Sequence, residues 1–274
     1  MLNAKSRHHL LQRIFWNPVG ARFARAFIRF SRKFDVVVRN YSLNGETNGE
    51  RWLLTLMDPA PTVIDVGFHD GASTAEMLKA RPQGAVVGFD PSRFAAERYA
   101  ADFVQDARVT FVNQGLAAEP GELEFHDYEN MCNSLAPRKE LPGEVPTTYK
   151  VPITTLDSWC AANGIDHVNF MKIDAEGYDL HVLEGAKRLL EEQKVDLFMF
   201  EFASGWTASK RYLWEVDEYF APLPYKLYHL FNGFLTPLTY EVERDSCTTR
   251  YAMYVGVSDQ RMARGDIPVR DYGL

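Results

Sequence analysis

The spacing of apolar residues changes along the chain, and each change marks an element. Short continuous apolar runs at Val63–Val66, Ala85–Phe89, Val109–Val112, Val168–Ile173 and Asp196–Phe200 read as buried strands. Between them, apolar residues recur three and four apart. This predicts helices over Ala72–Ala80, Phe94–Phe103, Thr155–Asn163, Leu180–Leu190 and Trp214–Phe220. Glu122–His126 follows the turn signal Glu119-Pro120-Gly121 as a short strand. Lys226–Leu230 is extended, and Tyr251–Val257 alternates as a final strand. Near the start, Phe23, Ala26, Phe27 and Phe30 recur at helical spacing. Arg22, Arg25, Arg29 and Arg32 occupy other parts of the turn, so a basic amphipathic helix follows the breaker Pro18. Asp35–Arg39 is a short β-branched run, Tyr41–Glu50 is polar, and Arg51–Met57 reads as a helix ending before Pro59.

Apolar strands separated by helices predict an α/β fold with a parallel sheet covered on both faces. The chain then divides into a basic N-terminal helical arm and connector, residues 1–50, and one domain, residues 51–274. Such sheets bind ligands beyond the carboxyl ends of their strands, where the strand order reverses. That rule selects Asp65 to Gly71, Asp90, Asn113 to Leu116, Asp174 to Gly177, and Glu201.

Composition narrows the picture. With 46% hydrophobic and 24% charged residues in 274, the chain is neither disordered, collagenous nor a coiled coil. No run approaches the roughly 18 apolar residues of a membrane span. Cys132, Cys160 and Cys247 are too far apart for a disulfide framework or a structural zinc, which points to a reducing, cytoplasmic setting. The net charge is −7, yet residues 1–34 hold eight basic side chains and no acidic one, which leaves −15 on the remaining 240 residues. A body this acidic excludes general nucleic-acid binding. The arm has two main readings. Residues 1–34 dock on a membrane surface or a protein partner, or the phenylalanines pack on the domain and leave the arginines in water. An Arg-rich, acid-free start is also the composition of a transit peptide. Nothing in the sequence sets the oligomeric state.

The strand-turn-helix "VIDVGFHDGAS", Val63 to Ser73, carries the most chemistry. Gly67 and Gly71 allow a sharp turn, with Phe68, His69 and Asp70 between them. The spacing is not the GxGxxG of a dinucleotide site. Asp65 and Asp70 make the turn acidic, so a diphosphate is repelled and a cationic ligand such as S-adenosylmethionine is favoured over a nicotinamide cofactor. The carboxylate of that ligand suits the amides at a helix start. Asp90 ends the second strand, where a carboxylate accepts hydrogen bonds from ribose hydroxyls. Its other role would be to cap the next helix.

The sequence resembles the FkbM family of methyltransferases from about Val63 to Glu201. The resemblance rests on "VIDVGFHDGAST", "VVGFDPS", "VNQGLAAEPGELEF", Asn133-Ser134-Leu135, "VPITTLDSW" and, above all, "VNFMKIDAEGYDLHVLEGA". It implies a Rossmann-like class I methyltransferase fold, a seven-stranded sheet with an antiparallel last strand. It also implies S-adenosylmethionine-dependent O-methylation of sugar or polyketide-like hydroxyls. By the same resemblance, Gly67 and Gly71 line the methionine end, Asp90 holds the ribose, and Gln114 and Gly115 lie near the adenine. Asp174 and Glu176 face the transfer centre. His69-Asp70 departs from the family pattern, where a small residue and Asn are usual.

A sugar hydroxyl is a poor nucleophile while protonated, so the chemistry calls for a base. Glu176 is the first candidate, three residues beyond its strand. Asp174 is a second and could instead bind the cofactor ammonium. His69 is a third, with a suitable intrinsic pKa. Asp174 and Glu176, with His126 or Glu201, could hold a divalent ion, though the pattern does not require one. Lys172 stands in an apolar strand and is read as pairing with an acid. Asn133 and Ser134 are a lid, a substrate contact or surface loop. The competing readings are a nicotinamide-dependent oxidoreductase and a non-catalytic protein that binds a membrane or partner through the arm.

Overall fold

The computed structural model describes residues 14–15, 18–129, 132–138, 143–242 and 251–272. The basic residues Lys5, Arg7 and Arg13, and Cys247, lie outside them. In chain order the first elements are α1 (Pro18–Val38), α2 (Glu50–Leu54), β1 (Thr62–Val66), α3 (Ala72–Ala80), β2 (Ala85–Phe89), α4 (Arg93–Asp102) and β3 (Val109–Val112). Next come β4 (Gly115–Leu116), β5 (Gly121–Asp127), β6 (Thr147–Thr154), α5 (Leu156–Ala162), β7 (Val168–Ile173), α6 (Asp179–Glu184) and α7 (Lys187–Glu191). The chain continues through β8 (Val195–Phe202), α8 (Gly205–Ala208), α9 (Leu213–Phe220), β9 (Tyr225–Phe231), β10 (Phe234–Pro237), β11 (Ala252–Ser258) and α10 (Asp259–Met262).

The main sheet runs β10-β9-β11-β8-β7-β1-β2-β3. β1 is parallel to β2 and β7, and the last strand, β11, is inserted antiparallel between β8 and β9. This is the expected Rossmann-like methyltransferase plan. An eighth strand, β10, is added at the edge by a tight turn from β9 through Gly233. The order reverses between β1 and β7. The central strands bury both faces, as their unbroken apolar runs require. Ile64, Met171, Phe198 and Phe200 face a core shared with α5, α6, α7 and α9. Val63, Phe170, Leu197 and Met199 face α2 and α3. β4, β5 and β6 form a separate small sheet.

Several boundaries differ from the sequence reading, for physical reasons. Leu180–Leu190 is two helices, broken at Gly185-Ala186. A Cβ on Gly185 would stand 2.2 Å from the Ala117 carbonyl oxygen. The second helix is restarted from a distance, because the Asp157 carboxylate accepts from the Arg188 and Leu189 amides at 2.7 and 3.0 Å. Asp35–Val38, read as a β-branched run, continues α1 instead, since the helix has already been nucleated.

The reading that packs the arm's phenylalanines on the domain is not what the structure shows. Phe23, Phe27, Phe30 and Phe34 are 61–70% exposed. Contacts with the main sheet begin just after α1. The Asn40 amide donates to Leu230 O at 2.9 Å, and the Tyr41 ring stacks on His229. These contacts tie the start of the connector to β9.

Candidate active site

A cavity of about 300 Å³ opens beyond the carboxyl ends of β1, β2 and β7, at the reversal of strand order. That volume is at the lower end of small-molecule pockets, about 300–1,000 Å³. Its lining includes Gly67, Phe68, His69, Asp70, Asp90, Gln114, Gly115, Asp174 and Glu176, so one site gathers most of the residues singled out from the sequence.

Gly67 has φ +83°, and a Cβ there would lie 2.0 Å from the Asp174 carbonyl oxygen. Only glycine lets the ends of β1 and β7 approach this closely. The Phe68 ring is buried edge-on against Phe103 and Phe111 and belongs to the core. The His69 N–H donates to Asp90 Oδ2 at 2.9 Å, and its ring lies 4.8 Å from that of Phe94. Asp70 is half-exposed and accepts from the Ala72 amide at 3.0 Å, at the first turn of α3.

Two expected ligand contacts lie behind the wall. Asp65 is fully buried and accepts from Thr74 Oγ1 at 2.7 Å, and burial raises its carboxyl pKa. Gly71 caps α3 with φ +78°, under the Phe103 ring, where a Cβ would clash at 2.3 Å. Both shape the turn without lining the cavity.

Asp90 does not cap the following helix. Ser92 does, accepting from the Ala95 amide, and Asp90 Oδ1 in turn accepts from the Ser92 amide at 2.8 Å. Two backbone N–H groups thus fix the carboxylate at the wall, with the Ser92 side chain as a further hydrogen-bond partner. Burial raises its pKa. Gln114, Gly115 and Leu116 line the neighbouring stretch, where β4 pairs with β6.

The opposite end is acidic. The buried Lys172 donates to Asp174 Oδ2 at 2.9 Å, as an acid-paired lysine was expected to. Burial works against its charge, but the Asp174 and Asp65 carboxylates hold its pKa above the usual value. Glu176 sits in a left-handed conformation, φ +49°, with its carboxylate 2.5 Å from the Arg138 guanidinium. Ser134 Oγ donates to the Glu176 carbonyl at 3.0 Å, and Asn133, Ser134 and Leu135 line the cavity. Burial, then repulsion from Asp174, lifts the Glu176 carboxyl to about 7 despite Arg138. Behind it, burial and Asp174 lift Asp179 to about 7. Burial and the same carboxylates lift Glu201 to about 10.

Arg138 and Asp179 escaped the sequence reading. Arg138 stands in a polar loop with no local motif, and its partner is 38 residues away. Asp179 looks like an ordinary first-turn acid. Among the described residues, no group of three or more His, Cys, Asp or Glu side chains is placed to hold a metal ion. His126 instead lies in the small sheet, 3.7 Å from Glu124.

A second cavity, about 270 Å³, adjoins the first and shares Ala72, Ser73 and Lys172 with it. Its other walls include Glu46, Glu50 and Arg51, from a segment the sequence presents only as connecting structure.

Solved structures similar to this chain at low identity include the two that follow. One is an rRNA methylase from Streptococcus thermophilus, with 14% identity, 76% of this chain and 93% of that one covered, and a TM-score of 0.41. The other is the precorrin-6y C5,15-methyltransferase of Geobacter metallireducens GS-15, with 8% identity, 76% and 87% covered, and a TM-score of 0.41. In sequence it is 22% identical over 158 residues to the 2-O-methyltransferase NoeI of Sinorhizobium fredii (strain NBRC 101917 / NGR234). That match covers 53% of this chain and 65% of the relative's length. The family model of the methyltransferase FkbM domain matches residues 65–230, from the end of β1 through β9, and the chain belongs to that family.

Proposed function

We propose that the protein is an S-adenosylmethionine-dependent O-methyltransferase acting on a hydroxyl of a sugar or another small molecule. One observation carries the reading. The cavity at the strand reversal is walled by Asp90, Asp174 and Glu176, and Lys172, the one Lys or Arg in its lining among the described residues, is tied to Asp174. This donor set fits a cationic nucleoside and repels a nicotinamide cofactor's diphosphate. Bound there, the cofactor supplies a methyl group made electrophilic by its sulfonium.

The residues divide the work by their chemistry. Asp90 accepts from ribose hydroxyls, with Gln114 and Gly115 beside the base. Gly67 to Asp70 and the start of α3 receive the amino-acid end, and Asp174 meets its ammonium. Glu176 takes the proton of the acceptor hydroxyl, with Arg138 positioning its carboxylate. His69 lines the same wall with its ring against Phe94, a place suited to shaping the site more than to proton transfer. Oxygen as the accepting atom is supported by the relative named as a 2-O-methyltransferase.

Calorimetry with S-adenosylhomocysteine and with NADH tests the cofactor. Binding of the first and none of the second is expected, and the reverse would overturn the reading. Asp90→Ala should weaken S-adenosylhomocysteine binding by about 1–3 kcal/mol, through lost hydrogen bonds to a charged acceptor. Unchanged affinity would reject the ribose assignment.

The pH profile tests the base. Glu176 works only when deprotonated, and its pKa is lifted to about 7. Turnover should therefore climb about tenfold per unit on the acid side and level off above about pH 8. A profile flat between about pH 5.5 and 8 would remove Glu176 from this role.

A further inference from the structure

We infer that α1 is an interfacial helix that docks the protein on an anionic lipid bilayer. The inference stands on the arm alone and does not depend on methyl transfer.

The 21 residues of α1 sort by angle around the axis. At the helical repeat of 3.6 residues, Phe23, Phe27, Phe30, Phe34 and Val37 fall on one side. Arg22, Arg25, Arg29, Arg32 and Lys33 gather on another. The apolar side meets nothing in the described protein. The four phenylalanines are 61–70% exposed and Val37 is 78% exposed. An unpartnered apolar stripe of this length marks an interaction surface.

Charge identifies the occupant. Five cations stand on the helix against one carboxylate, Asp35, which is held by Arg39 at 2.9 Å. A second copy would set one net-positive helix, five cations against Asp35, beside another, so like charge disfavours self-pairing. An anionic bilayer satisfies both sides at once. Phenyl rings enter the boundary between headgroups and acyl chains, while arginine stems lie along it and keep their heads among the phosphates. Among the described residues no helix is long and apolar enough to cross a membrane, so α1 lies on the surface and does not span it. The arm is also fixed at its inner end, through Asn40 on Leu230 and Tyr41 on His229. Docking the helix therefore docks the domain.

Vesicle flotation of the full chain tests this, with phosphatidylcholine alone and with phosphatidylglycerol added. The protein should float with the anionic vesicles, stay behind with the neutral ones, and be released by high salt, which screens charges within about 10 Å already at 0.1 M. Replacing Phe23, Phe27, Phe30 and Phe34 together by serine should lower the bound fraction at least about tenfold, as loss of the buried apolar area requires. Arg25→Glu with Arg29→Glu should abolish the preference for phosphatidylglycerol. Circular dichroism and thermal melting like wild type would show that these variants are folded. Failure of the wild type to float with anionic vesicles would overturn the inference, as would equal binding to both vesicle types. So would a dimer in light scattering that the serine variant loses, because a second copy would then cover the stripe.

Discussion

Replacing Glu176 by glutamine is expected to lower turnover by about 10²–10⁴-fold, the range removed with a general base. Affinity for S-adenosylhomocysteine should stay close to wild type. The substitution isolates proton transfer unusually well. Glutamine has the same length, its carbonyl still accepts from Arg138, and the left-handed backbone at 176 keeps its contact with Ser134. What disappears is a proton acceptor whose pKa the site has lifted to about 7. The affinity measurement separates this from a collapsed site, since misplacement of the loop would also disturb Asp174, two residues away. Wild-type turnover in the variant would leave proton removal to another group.

Lys172→Met is expected to produce the largest loss of stability, about 3 kcal/mol, read as a lower denaturant midpoint at unchanged slope. Methionine retains most of the apolar stem but removes the one cation that faces Asp65 and Asp174 in the interior. Breaking a buried pair by deleting one partner costs about 3–5 kcal/mol. The lower end applies because the Asp174 side chain is 34% exposed and water takes up part of its charge. The fully buried Asp65 has no such relief beyond its bond to Thr74. The double variant Lys172→Met, Asp65→Asn should regain part of the loss. If Lys172→Met melts like wild type, the ion pair adds nothing to folding.

The framework was legible because its signals are local. β1, β2, β3 and β7 are apolar runs flanked by turn residues, and such runs have few alternatives in an α/β chain. Gly67 and Asp90 could be found for the same reason, each following a strand at the end where such folds bind ligands. Signals carried across the chain were lost. The stop and restart at Gly185 depend on Asp157, about thirty residues earlier. β6 reads Thr-Thr-Tyr-Lys-Val-Pro-Ile-Thr, polar and interrupted by Pro152, and it becomes a strand by pairing with β5. Asp65 shows a subtler limit. A carboxylate beside a glycine turn reads the same whether it faces a ligand or Thr74. The amphipathic pattern of α1 likewise specifies a helix with an apolar side and is silent on what that side meets.

Lys172 forms part of the wall of both cavities and has a single ammonium to share between them. Asp174 takes one of that ammonium's three N–H donors, so an anion or a hydrogen-bond acceptor arriving in either chamber would draw on the other two. Ligands that both met this shared charge would be linked through it, and such a linkage is reciprocal: whatever occupancy of the first chamber does to affinity in the second, occupancy of the second does by the same factor to the first.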